Sequence, residues 1–221
     1  MKNKIHTIEV ENNETQSVEK IIKKIRENKI IYVKNKFYEY EDVLDSISEH
    51  GPAIILNSSG SSGKPRQCFH NLNNLKLSAV TSGQWLKARG FELQNCLILN
   101  TLPLNHISGL MPIFRSQTWG CDCINISPNL IKKTRELLLF TIKFKKNKKH
   151  LITSLVPTQL KRLLAEKDGI NWLKIFDLIS INPCVLILIC VSGSISPTFS
   201  KPIKNSFGFK LVTIAAVSVE P

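Results

Sequence analysis

Ala53-Ile54-Ile55-Leu56-Asn57-Ser58-Ser59-Gly60-Ser61-Ser62-Gly63-Lys64-Pro65-Arg66 joins an apolar run to a Ser/Gly-rich segment that ends in two basic residues. The four leading apolar residues read as a buried strand, and the Ser/Gly run after them reads as a loop closed by two cations. A helix-like segment follows, with Asn71 as N-cap, Leu72, Leu75, Ala79 and Leu86 along it, and Gly90 as its stop. Strand, hydroxyl-rich loop and helix are how α/β proteins present backbone N–H groups and hydroxyls to phosphate, which makes a nucleotide the first ligand to consider. The spacing is not a Walker A loop: two residues rather than four separate Gly60 from Gly63, and Pro65 stands at the Ser/Thr position. It is not a GxGxxG dinucleotide loop either. A flexible linker is the competing reading, but linkers rarely lie between a buried strand and a capped helix.

Working outward, Val18, Ile21, Ile22 and Ile25 recur at helical spacing within 17–28. Residues 30–33 read as a strand, 42–49 as a short helix, and Gly51-Pro52 as a break. Downstream, strands at 96–102, 121–126 and 151–156 alternate with helices at 107–117, 130–140 and 158–166, where Pro157 suits a first helical position. The run 184–191 reads as a buried strand. This alternation predicts an α/β fold with a mixed or largely parallel sheet flanked by helices. After Gly193 no clear element closes the sheet.

Composition narrows the function classes. A chain of 221 residues with 43% hydrophobic content can bury a sizeable core. The net charge of +13 raises nucleic acid as a partner, yet the densest basic run, Lys143 to Lys149, lies between apolar segments and reads as a solvated connection. No specific nucleic-acid partner is expected. The six cysteines form no CxxC pair and no Cys/His zinc spacing, and Cys121-Asp122-Cys123 reads as plain strand, so no metal site is expected. The longest apolar run, 184–191, is too short to span a bilayer, and no signal-peptide pattern is present. The expectation is a cytoplasmic protein with reduced thiols.

Three ordered motifs carry a family resemblance. Ser58-Ser59-Gly60-Ser61-Ser62-Gly63-Lys64-Pro65-Arg66 resembles the phosphate loop S-G-T-T-G-x-P-K of the adenylate-forming, AMP-binding superfamily, with Arg66 where that loop usually has Lys. Leu102-Pro103-Leu104-Asn105-His106-Ile107-Ser108-Gly109-Leu110 is similar to its P-L-x-H-x-x-G-L motif. Thr153-Ser154-Leu155-Val156-Pro157-Thr158-Gln159-Leu160 resembles the S-L-V-P-T-x-L stretch of the o-succinylbenzoate–CoA ligases of menaquinone and phylloquinone biosynthesis.

The resemblance covers roughly residues 51–179 and implies the N-terminal domain of the adenylate-forming fold. Residues 1–50 would be a helix and strand segment of that domain, 51–191 its AMP-binding core portion, and 192–221 a divergent or frameshifted tail. The implied activity is an acid–CoA ligase: ATP adenylates a carboxylic acid, with Mg²⁺, and coenzyme A then takes the acyl group. Ser58, Ser59, Gly60, Ser61, Ser62, Gly63, Lys64 and Arg66 would bind the ATP phosphates. His106 would act at the reacting centre and, with Ser154 and Thr158, line the acyl pocket. The aromatic-Gly-x-Thr-Glu motif, the ribose-binding aspartate and the lid lysine of the family have no counterpart. The expectation is therefore a C-terminal lid that is absent and adenylation that is impaired. The alternative is a non-catalytic nucleotide-binding remnant.

Overall fold

The computed structural model describes residues 4–11, 15–36, 51–58, 66–145, 150–181, 185–190, 203–204 and 210–215; for Arg66 and the last three stretches this means backbone only. The expected helix at 42–49 and residues 59–65 and 146–149 lie outside this set. The first strand, β1 (Ile5–Val10), has no counterpart in the sequence reading, because only Ile5, Ile8 and Val10 are apolar and just two of them are buried. The helix α1 (Thr15–Arg26) buries Val18, Ile21 and Ile25, and leads into β2 (Ile30–Asn35), which pairs parallel with β1. Next, β3 (Ala53–Ser58) runs parallel to β2; its apolar run is buried on both faces, as a strand covered from two sides must be.

Here the structure corrects the order of elements. Residues 66–71, expected to pass directly from loop to helix, form a strand, β4 (Arg66–Asn71), antiparallel to β3. Pairing of Ser58 with Arg66 brings the two ends of the Ser/Gly run together, so the unit is strand, loop, strand, then helix. Asn71 caps α2 (Leu72–Lys87) as expected: its Oδ1 accepts the Asn73 N–H at 2.8 Å. The chain reverses after α2 at Gly90, whose φ is +83°.

A second sheet begins with β5 (Cys96–Asn100), followed by α3 (Ile107–Trp119), β6 (Asp122–Asn125) and α4 (Thr134–Lys145). Then come β7 (His150–Leu155), α5 (Pro157–Leu164), α6 (Lys167–Leu173) and β8 (Leu178–Ile181). Strands β6, β5, β7 and β8 lie side by side and parallel. Beyond β8 the sheet turns antiparallel through β9 (Val185–Cys190), with β11 (Lys210–Ala215) against β9 and β10 (Ile203–Lys204) against β11. The tail thus adds strands where none was expected. Lys143 and Lys145 also depart from expectation: they end α4 instead of lying in a connection, where cations suit the negative end of the helix dipole.

The described residues therefore build two sheets, of four and seven strands, in place of one. Helices α2 and α3 serve both. Leu72, Leu75 and Ala79 of α2 and Leu110, Ile113 and Phe114 of α3 pack with Ile54, Leu56, Ile31 and Val33 of the first sheet. Leu86 of α2 and Trp119 of α3 pack with Ile98, Ile152 and Leu178 of the second. The opposite face of the second sheet, including Leu97, Leu99, Leu151 and Ile179, is covered by Leu137, Leu163, Trp172 and Leu173 from α4 to α6. This split follows from the period-2 alternation of strand side chains.

Candidate functional site

Two features point to chemistry at the carboxyl ends of the parallel strands, the edge at which open α/β sheets usually bind ligands. The first is the exit of β3. Asn57 is buried there, and its Nδ2 donates to the Tyr32 hydroxyl at 2.7 Å, which anchors the strand next to the Ser/Gly run. Ser58 is half-buried at the end of the ladder, paired with Arg66. Ser59, Gly60, Ser61, Ser62, Gly63 and Lys64 lie outside the described residues. Asn57 and Tyr32 escaped the sequence reading because a single polar residue after an apolar run carries no local signal of its partner.

The second feature lies where β5, β6 and β7 end. Asn100 is fully buried; its Nδ2 donates to the Gly109 carbonyl and to Asn125 Oδ1, both at 2.8 Å, and its Oδ1 accepts the Leu102 N–H at 3.1 Å. One side chain thereby ties the end of β5 to β6, to α3 and to the turn between. That turn holds Pro103-Leu104-Asn105-His106, and α3 packs on it so tightly that a Cβ at Gly109 would lie 2.0 Å from the Pro103 carbonyl oxygen. Glycine is required by this close approach.

His106 stands at the N-cap of α3, with its backbone carbonyl accepting the Gly109 and Leu110 N–H groups. Its side chain makes no capping bond and is exposed, leaving the ring free to meet a ligand. Desolvation by the surrounding protein lowers its pKa below the ordinary 6.5, so the ring is neutral at pH 7. Ser154, buried at the end of β7, meets Arg115 of α3, whose Nη1 lies 3.5 Å from its Oγ. Thr158 is exposed on the first turn of α5, while Gln159 beside it bridges the Val156 N–H and the Thr101 carbonyl.

Arg115 is the residue the sequence did not flag. Its Nε is sealed from solvent without a hydrogen-bond partner, and none of the ion pairs among the described residues includes it. Burial pushes its pKa down to about 10, which still leaves it charged at neutral pH. A guanidinium can pair a carboxylate through two parallel N–H groups, so an unused Nε–H is chemically suited to an oxyanion. Among the described residues no cluster of His, Cys, Asp or Glu could hold a metal ion. Burial pushes both the Cys96 and Cys123 thiols up to about 12, which keeps them protonated and inert.

Against this geometry, the profile of the family described as AMP-binding enzyme matches residues 3–214. The chain belongs to the AMP-binding enzyme family. Among curated relatives, a 2-succinylbenzoate–CoA ligase of Bacillus licheniformis is 33% identical over 125 residues, covering 57% of this chain and 24% of the relative. The chain thus spans about a quarter of that relative's length. Among solved structures of similar fold, an ATP-bound RpMatB–BxBclM chimera has a TM-score of 0.56 at 13% identity, covering 84% of this chain and 45% of the other. A malonyl-CoA ligase in a ternary product complex with methylmalonyl-CoA and AMP has a TM-score of 0.53 at 12% identity, covering 80% and 46%. The family's α/β fold of sheets flanked by helices is the one described above. No described helix is long and apolar enough to cross a membrane.

Proposed function

We propose that this AMP-binding chain supplies the ATP loop and acid pocket of an acid–CoA ligase acting on an aromatic dicarboxylic acid, o-succinylbenzoate. The observation that carries the reading is Arg115. Its Nε, buried and without a hydrogen-bond partner, and its Nη1 beside Ser154 suit the carboxylate that does not react, and a dicarboxylic acid has one to offer. The 33% identity to a 2-succinylbenzoate–CoA ligase favours the same acid.

In the proposed reaction a carboxylate oxygen of the acid attacks the α-phosphorus of ATP and pyrophosphate leaves, giving an acyl-adenylate. The sulfur of coenzyme A then attacks the acyl carbon, AMP leaves, and the thiol proton passes to solvent. Catalysis of the first step is mainly positioning and charge neutralisation. Ser58, Ser59, Ser61 and Ser62 would donate hydroxyls to phosphate oxygens, Gly60 and Gly63 would admit the polyphosphate to the backbone, and Lys64 and Arg66 would offset its charge. His106, neutral and exposed, would donate or accept one hydrogen bond at the reacting carboxylate. Ser154 would line the acid pocket with Arg115, and Thr158 its rim. Mg²⁺ would accompany ATP as the cation on its phosphates.

Isothermal titration of the whole chain with ATP–Mg²⁺ and with o-succinylbenzoate, alongside mass spectrometry for the acyl-adenylate, tests the proposal. Arg115→Gln should weaken acid binding about tenfold or more while leaving ATP binding unchanged, because a charge-assisted bond is removed. Equal acid affinity in wild type and Arg115→Gln would overturn the assignment. ATP binding without acyl-adenylate would favour the nucleotide-binding remnant.

A further inference from the structure

We propose that Ser180 is a third donor to the non-reacting carboxylate and sets the preference for a dicarboxylic acid; this rests on the acid-binding role of Arg115. The register puts Asn100 of β5 opposite Ser154 of β7, and Ser154 opposite Ser180 of β8. Directly paired residues of parallel strands share a face, so the three form one row across the sheet at its carboxyl end. The face is fixed by the residues two positions earlier. Ile98, Ile152 and Leu178 pack in one cluster with Trp119 of α3 and Leu86 of α2. Along this face each strand changes from apolar to polar at the same level, and there Arg115 of α3 reaches Ser154.

Ser180 is 3% exposed, and its Oγ has no hydrogen-bond partner among the described residues. Arg115 Nε is buried and unpartnered as well. Two unused donors thus border Ser154. A buried hydroxyl without a partner costs the free protein stability, a cost that a ligand engaging it would offset. A carboxylate has acceptor sites enough for a guanidinium fork and a hydroxyl together. Most buried hydroxyls of purely structural role are satisfied within the fold.

Titration of the whole chain with o-succinylbenzoate and with benzoate, together with thermal melts in the absence of acid, tests the assignment. Ser180→Ala is expected to melt no lower than wild type and to bind o-succinylbenzoate about tenfold more weakly, the worth of one hydrogen bond to a charged group. Benzoate, which has no second carboxylate, should be insensitive to the change. Ser180→Cys, nearly isosteric with a weak donor, should lose the same affinity and so separates the lost bond from lost volume. Undiminished o-succinylbenzoate binding in Ser180→Ala, with loss in Arg115→Gln, overturns the role of Ser180 and leaves that of Arg115 standing. Undiminished binding in both, or no acid binding by wild type, overturns both.

Discussion

At the scale of single residues, the site is built from side chains that pay their desolvation in different ways. Asn100 uses both ends of its amide inside the protein, whereas Arg115 keeps an N–H unused. The first arrangement is structural, and the second is the one on which the proposed acid site rests. Gly109 belongs with Asn100. Its missing Cβ lets α3 lie on the Pro103 turn, and the obstacle to a methyl there is backbone, which cannot swing aside. Gly109→Ala should therefore lower stability by about 1–3 kcal/mol, as overpacking does. Urea melts would register the loss, and an unchanged midpoint would show that the turn and helix can separate at little cost.

At the scale of elements, the connection between β3 and α2 differs most from the sequence reading. Arg66-Gln67-Cys68-Phe69-His70-Asn71 lacks a clean alternation of apolar and polar residues, so periodicity did not mark it as a strand. It becomes one because β3 offers it a ladder, an interaction that is non-local in kind. The Ser/Gly run is consequently bounded by two paired strands, and α2 begins one strand later than a helix N-terminus at the loop would require. The start of α2 was legible because capping is local. Asn71→Ala should cost about 1 kcal/mol by removing the bond to the Asn73 N–H, read as a lower melting temperature. No change would mean that Leu72, 1% exposed, holds the first turn by packing alone.

At the scale of the whole molecule, α2 and α3 bind two sheets into one arrangement, and acid should loosen it. Desolvation lowers the pKa of His70, half-buried on β4, below the ordinary 6.5, and lowers that of His106 likewise. Below that value the unfolded chain binds more protons than the native one, so stability rises with pH in this window and falls as the solution is acidified. The melting temperature should be lower at roughly pH 5.5 than at roughly pH 7.5, a range above the ordinary carboxylate value. His70→Gln should shrink the difference, and an unchanged difference would assign the effect elsewhere. The sequence by itself determined the three motifs, most strands and helices of the first 181 residues, and the cap at Asn71, because each is written in neighbouring residues. Folding in three dimensions set the division into two sheets, the pairing of β3 with β4, the row of Asn100, Ser154 and Ser180, and the contact of Arg115 with Ser154. A serine inside an apolar strand has no meaning until register and helix packing choose its neighbours, and those choices depend on segments far apart in the chain.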